Sequence, residues 1–283
     1  MIKFSQSKAQ LYIPDGAEEA VALSRTTHLA IGAHQDDLEI IAYDAIAACH
    51  ARQDAWFCGV VVTDGAGSPR SGPFADCTDT DMQGIRAEEQ KRAADLGKYG
   101  AQFLLHHPSR VVKEPRQPAV VEELKAIIEE TRPHTLYTHN LFDKHDTHVA
   151  VTLRLIEALR KLPAELRPAN IYGCEVWRDL DWLPDQFKVV LDCSGNEDLQ
   201  RELLAVFESQ TVGGKRYDEA VLGRRKAHAT FHTSHSVDAA TGLAFAVDLK
   251  PLVDDENMDP AEFARVQLDR FTSDVLDRIR RFA

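Results

Sequence analysis

Short apolar runs alternate with segments of helical periodicity along the first two-thirds of the chain. Residues 27–34 and 56–63 read as buried strands, the second of them WFCGVVVT, apolar until its last position. Residues 102–106 and 135–138 continue the series. Between the first two strands, residues 38–52 place Leu38, Ile41, Ala45, Ile46 and Cys49 on one face of a helix. Helical patterns also cover 85–98, 119–131 and 148–161. Such strand–helix alternation predicts an α/β fold, a mostly parallel sheet with helices on both faces.

Beyond residue 170 the pattern changes. Two further strands are predicted at 170–177 and 187–194, separated by the turn signal Leu183-Pro184-Asp185. Helices follow over 196–208 and 217–228, and a terminal amphipathic helix runs over 260–282. Residues 64–83 are rich in Gly, Pro, Ser and Asp and exceed an ordinary connection, which marks them as a functional loop. Neither a repeat nor a low-complexity linker interrupts the chain.

Composition narrows the class. With 283 residues, 44% of them hydrophobic, the chain can bury a large core in one domain. A net charge of −12 opposes nucleic acid and acidic membrane surfaces and suits an enzyme for a neutral or cationic small molecule. No run is long enough to cross a bilayer, and the N-terminal residues lack a signal-like apolar core. The five cysteines form no CxxC pair and read as reduced, mostly buried thiols. A cytoplasmic protein is expected.

The chemistry concentrates where the first strand ends, at Ala33-His34-Gln35-Asp36-Asp37-Leu38-Glu39. One imidazole and three carboxylates within a few residues are unfavourable in an apolar setting unless a cation reconciles them. His34 and Asp37 are three apart, and a loop entering a helix can turn both to one point. Catalytic zinc sites take three such ligands and keep one position open. The best source of the third is 138–148, which follows another short strand and carries His139, His145 and His148. His145 and His148 repeat the spacing of three. A nucleotide-binding module is disfavoured, because that strand end holds carboxylates where a Gly-rich turn would be needed.

The first cluster resembles the A-H-P-D-D-x-E signature of the PIG-L/LmbE-like zinc deacetylases, which remove acetyl groups from N-acetylglucosamine-type sugars and conjugates. His145-Asp146-Thr147-His148 resembles the second signature, H-P-D-H, and Arg86 with Glu89 the R-x-x-E helix. Lys226 and His232-Thr233-Ser234-His235 loosely match the K…H-x-S-Q segment. The resemblance implies a Rossmann-like fold in a single domain, 1–283, with a core over about 27–235 and a C-terminal helical extension over about 236–283. It implies one zinc held by His34, Asp37 and His148, Asp36 as general base, and His145 as the group that assists the tetrahedral intermediate. His/Asp ligation also suits iron, cobalt or nickel. Gln35 stands for the usual proline, and Thr147 for the usual aspartate.

Residue chemistry fills in the surroundings. Asp146 is the expected partner that holds His145, with Asp143 the other choice. Arg86, just past the long loop, offers a planar fork of donors suited to sugar hydroxyls; an ion pair with Glu88 or Glu89 is its competing use. Glu39 is read as structural, Trp177 and Trp182 as packing residues, and adjacent His106 and His107 as facing opposite ways. The expected function is removal of an acetyl group from an N-acetylglucosamine-type sugar or conjugate. Its alternatives are a zinc amidase on a non-sugar amide and an inactive metal-binding scaffold. The sequence leaves open whether the chain forms a homo-oligomer.

Overall fold

A computed structural model describes residues 2–212 and 214–283. Its centre is an eight-stranded sheet in the order β1-β4-β3-β2-β5-β6-β8-β7. The strands are β1 (Gln10–Tyr12), β2 (His28–Gly32), β3 (Phe57–Thr63), β4 (Ala101–His107), β5 (Thr135–His139), β6 (Asn170–Cys174), β7 (Val189–Asp192) and β8 (Leu243–Asp248). The five strands β4-β3-β2-β5-β6 run parallel, and β1, β8 and β7 join antiparallel. This is the α/β, mostly parallel architecture that the alternation predicts.

The central strands β2 and β3 are apolar over most of their length because both their faces are covered. Leu29 and Ile31 of β2 enter one buried layer with Val60, Phe103, Leu124 and Leu155. Ala30, between them, enters the other with Phe57, Val61, Ile46 and Tyr137. Successive residues thus serve opposite faces, as the period of two requires.

Three departures from the sequence pattern matter. The helix expected over 38–52 is broken at Ala42 (φ −135°, ψ 29°) into Asp37–Ile41 and Tyr43–His50. The helix Asp79–Leu96 starts earlier than its apolar periodicity, since Thr78 and Asp81 form a capping box ahead of it. The segment expected as a helical extension, 236–283, also contributes β8, which lies inside the sheet between β6 and β7. Only its last part is the helix Pro260–Phe282, most of which is exposed.

The chain order explains where a ligand can sit. From β2 it moves outward through β3 and β4, then returns to place β5 on the other side of β2. The connections leaving β2 and β5 therefore diverge, opening a crevice at their carboxyl ends. Both His-rich clusters lie on this crevice.

Candidate metal centre

Three donor atoms converge at the crevice. His34 Nδ1 lies 3.3 Å from Asp37 Oδ2 and 3.2 Å from His148 Nε2, and the third side, His148 Nε2 to Asp37 Oδ2, is 3.5 Å. Tetrahedral zinc with bonds of about 2.0–2.1 Å has ligand–ligand edges of roughly 3.3 Å. The triangle fits a divalent ion of that size. The same three residues are the ones that the sequence resemblance marks as ligands.

Local structure fixes each corner. The His34 N–H donates to Asp37 Oδ2 (2.7 Å), closing the loop between strand and helix. Asp36, inside that loop, adopts a left-handed conformation (φ 88°), which costs a non-glycine residue about 1–3 kcal/mol and is held only by its surroundings. His148 Nδ1 lies 3.2 Å from Asp143 Oδ2; a proton on Nδ1 leaves the Nε2 lone pair aimed at the triangle. Burial, opposed by Asp37, pushes His148 down to about 4, so its Nε2 stays free to ligate. Burial alone would raise Asp37, but His148 and His139 beside it hold its carboxyl well below the usual range.

Sequence reasoning gave His139 no role. It is fully buried, stacked 3.8 Å from His148, and its Nε2 lies 3.3 Å from Asp37 Oδ2. It forms a second donor group with Asp37 and His148. The Ala33 N–H already donates to His139 Nε2 (2.9 Å), however, which takes up that lone pair. His139 props the triangle from behind.

Asp36 and His145 face the same cavity, of about 310 Å³, whose lining also includes Arg86, Trp177, Gln210 and Tyr217. Burial pushes Asp36 up to about 6 against the pull of Arg86. The His145 ring lies 4.9 Å from that of His34 and 4.5 Å from that of His148, and its buried Nδ1 has no protein partner. Burial and the neighbouring His34 lower its basicity. The long loop after β3 supplies another wall through Gly65, Gly67, Ser68 and Pro69. Gly65 is required there: its φ is +73°, and a Cβ would sit 2.7 Å from Gln35 Oε1.

The surrounding residues differ from their sequence assignments in four places. Asp146 is exposed at the first turn of the helix Asp146–Arg160; the carboxylate against the His148 imidazole is Asp143, which also accepts from the backbone N–H groups of His145 and Trp177. Arg86 is only 1% exposed and mostly committed internally. It donates to the Gln35 carbonyl and Ser209 Oγ and pairs with Asp36 (3.3 Å) and Glu89 (3.5 Å). Trp182 packs on Phe142 as expected, but Trp177 lines the cavity. Lys226 pairs with Glu197 on the surface, and His232 packs on Phe245.

The Ser-Gln pair that reaches the site is instead Ser209-Gln210, in the stretch Phe207-Glu208-Ser209-Gln210. Ser209 N–H and Oγ donate to the two oxygens of Glu89, and Gln210 lines the cavity. Its signal was the Ser-Gln dipeptide following a helical segment. Glu39 lies behind the centre, accepting from Gln90 and Tyr99, with burial pushing its carboxyl up to about 7. His106 and His107 go to different partners, Gln10 and Glu123.

Residues 29–159 match the PIG-L family, described as GlcNAc-PI de-N-acetylase. No curated protein matches the chain significantly. Among solved structures, N,N'-diacetylchitobiose deacetylase from Pyrococcus horikoshii has a TM-score of 0.59 at 15% identity, covering 82% of this chain and 88% of that one. The zinc-inhibited form of teicoplanin deacetylase Orf2 has a TM-score of 0.52 at 15% identity, covering 78% and 98%. GalB, the 4-carboxy-2-hydroxymuconate hydratase of Pseudomonas putida KT2440, has a TM-score of 0.59 at 18% identity, covering 79% and 95%. At such identities these structures speak to the fold alone. Through residues 29–159, the segment that carries both His clusters, the chain is similar to the PIG-L family.

Proposed function

We propose that the chain is a zinc-dependent hydrolase that removes an acetyl group from an N-acetylglucosamine-type sugar or conjugate. The observation that carries this reading is the triangle of His34, Asp37 and His148, set beside an unligating carboxylate and an unpartnered imidazole. The fold alone cannot choose, since a hydratase shares it. Two imidazoles and one carboxylate with an open face are the donor set of hydrolytic zinc sites.

A bound divalent ion supplies positive charge that acidifies water and polarises an amide carbonyl. The remaining work falls to side chains. Asp36 takes a proton from the attacking water and returns it to the departing nitrogen, shuttling it on one carboxylate. Arg86 holds that carboxylate in place through its 3.3 Å contact and so acts as a positioning residue. His145 presents a ring N–H to the oxygen that gains charge; removing such a donor costs about 10²–10³ in rate. Trp177 and the loop over 65–69 narrow the cavity around the substrate and displace water.

The test pairs metal content with amine release from N-acetylglucosamine-containing substrates, for wild type and Asp36→Asn. About one zinc per chain in both, with turnover lost only in the variant, is the expected result. Stoichiometric metal without amine release from any substrate in a broad panel would sink the deacetylase reading. It would then favour a non-sugar amide or a binding role.

A further inference from the structure

A second recess of about 250 Å³ adjoins the catalytic cavity, and Ile40, Val176, Trp177, Lys215 and Tyr217 line both. Its far side is one face of the helix Tyr217–Phe231. Tyr217, Ala220, Val221 and Arg224 recur there at i, i+3, i+4 and i+7. Ile40, Val176, Ala220 and Val221 make its surface apolar. Trp177 and Tyr217 meet edge to face at 5.6 Å, leaving a flat indole wall at the junction of the two spaces.

The rim has an unusual charge for this chain. Lys215 and Lys144 lie 5.3 Å and 6.0 Å from the Trp177 ring, and Arg224 donates to the Val176 carbonyl. Among the described residues, no carboxylate lies within ion-pair distance of any of the three. Arg216, which also lines the recess, is by contrast paired with Asp218 and Glu219. In a molecule of net charge −12, the unpaired Lys215 and Arg224 on the lining, with Lys144 near the shared indole, make a local positive field in a negative surround.

We propose that this recess is a subsite for an apolar, anionic substituent of the substrate, an aryl or short alkyl group bearing a carboxylate or phosphate. The apolar part stacks on Trp177 and lies against Val176 and Val221, while Lys215 and Arg224 face the anion. The assignment rests on the amide-hydrolase reading for its placement beside the reacting bond. It adds that the preferred substrate is an acidic conjugate rather than a free neutral sugar. The substituent can be carried on the sugar's anomeric oxygen or on the acyl group, and both positions bring the same chemistry to the recess.

Binding calorimetry on the metal-loaded full chain tests this without turnover, using the amine products, namely methyl, phenyl and 4-carboxyphenyl glucosaminides. The expected order is methyl weakest, phenyl about tenfold tighter, and carboxyphenyl about fivefold tighter again. Lys215→Met, an exposed substitution, should erase the carboxylate increment and keep the phenyl one. A second arm compares acetate with 4-carboxybenzoate as inhibitors of amine release; tighter inhibition by the aryl acid places the substituent on the acyl side. Equal binding of all three glucosaminides and equal inhibition by both acids would overturn the subsite, as would a carboxylate increment untouched in Lys215→Met. Ordered binding with no amine release from the N-acetyl counterparts would keep the subsite and overturn the deacetylase reading. Amine release without ordered binding or inhibition would do the reverse.

Discussion

The cavity has two walls of opposite construction. The wall that carries the donors is built from buried polar groups set against one another: Asp143 behind His148, His139 behind Asp37, and Arg86, Glu89 and Ser209 behind Asp36. The facing wall, Trp177 with Lys215 and Tyr217, is half-exposed and held by edge contacts and cations over a ring. The difference follows from what each wall does. A metal triangle tolerates errors of a few tenths of an ångström, so its side chains are locked by a further layer of hydrogen bonds. A wall that meets variable substituents gains from adaptable surface and pays no such tax in buried polar groups.

The largest expected effect tests the buried layer. Arg86→Leu removes a cation from between Asp36 and Glu89, leaving two buried carboxylates without their partner. Breaking a buried pair in this way costs about 3–5 kcal/mol, to be read from urea unfolding in saturating metal. The loss should exceed that from any single substitution at the Trp177 wall. A variant that unfolds at the wild-type urea concentration while its KM rises would return Arg86 to the substrate-contact role that its donors suggest in the sequence.

Arg86 also shows where sequence reading stops. The two strand-end clusters were legible because a short spacing of His and Asp at the end of an apolar run is local information. The partners behind them are not local. Glu89 meets Ser209 across the crevice, and Asp37 meets His139 from the adjacent strand, contacts that exist only once the strands are ordered. β8 escaped for the same reason: Leu243–Asp248 is a short apolar run whose neighbours, β6 and β7, are set by tertiary pairing. The break at Ala42 escaped because helical periodicity continues across it while the backbone does not.

A smaller effect is expected at the joint between the two walls. Asp143 faces His148 Nδ1 with the same oxygen that accepts the Trp177 N–H, and its other oxygen accepts from His145. Asp143→Asn keeps the shape but removes the anion that orients His148. Metal affinity should fall about 10–100-fold, measured by competition with a chelator of known affinity. Unchanged affinity would mean that the helix alone orients the imidazole, and the contrast between a locked and a loose wall would lose its clearest support.

The smallest effect separates Asp143 from Asp146, the partner that the sequence reading prefers for His145. Asp146 is exposed in the first turn of its helix, where a carboxylate complements the positive end of the helix dipole. Asp146→Ala should therefore cost about 0.3–1 kcal/mol of stability, with metal affinity and amine release within about twofold of wild type. A carboxylate in solvent is screened and free to rotate, so it cannot fix a ring as a buried one does. If Asp146→Ala instead cut turnover tenfold at full metal content, the solvent-facing acid would be setting the orientation of His145. The exposed residue would then be positioning that imidazole, while the buried Asp143 holds no more of His145 than its backbone N–H.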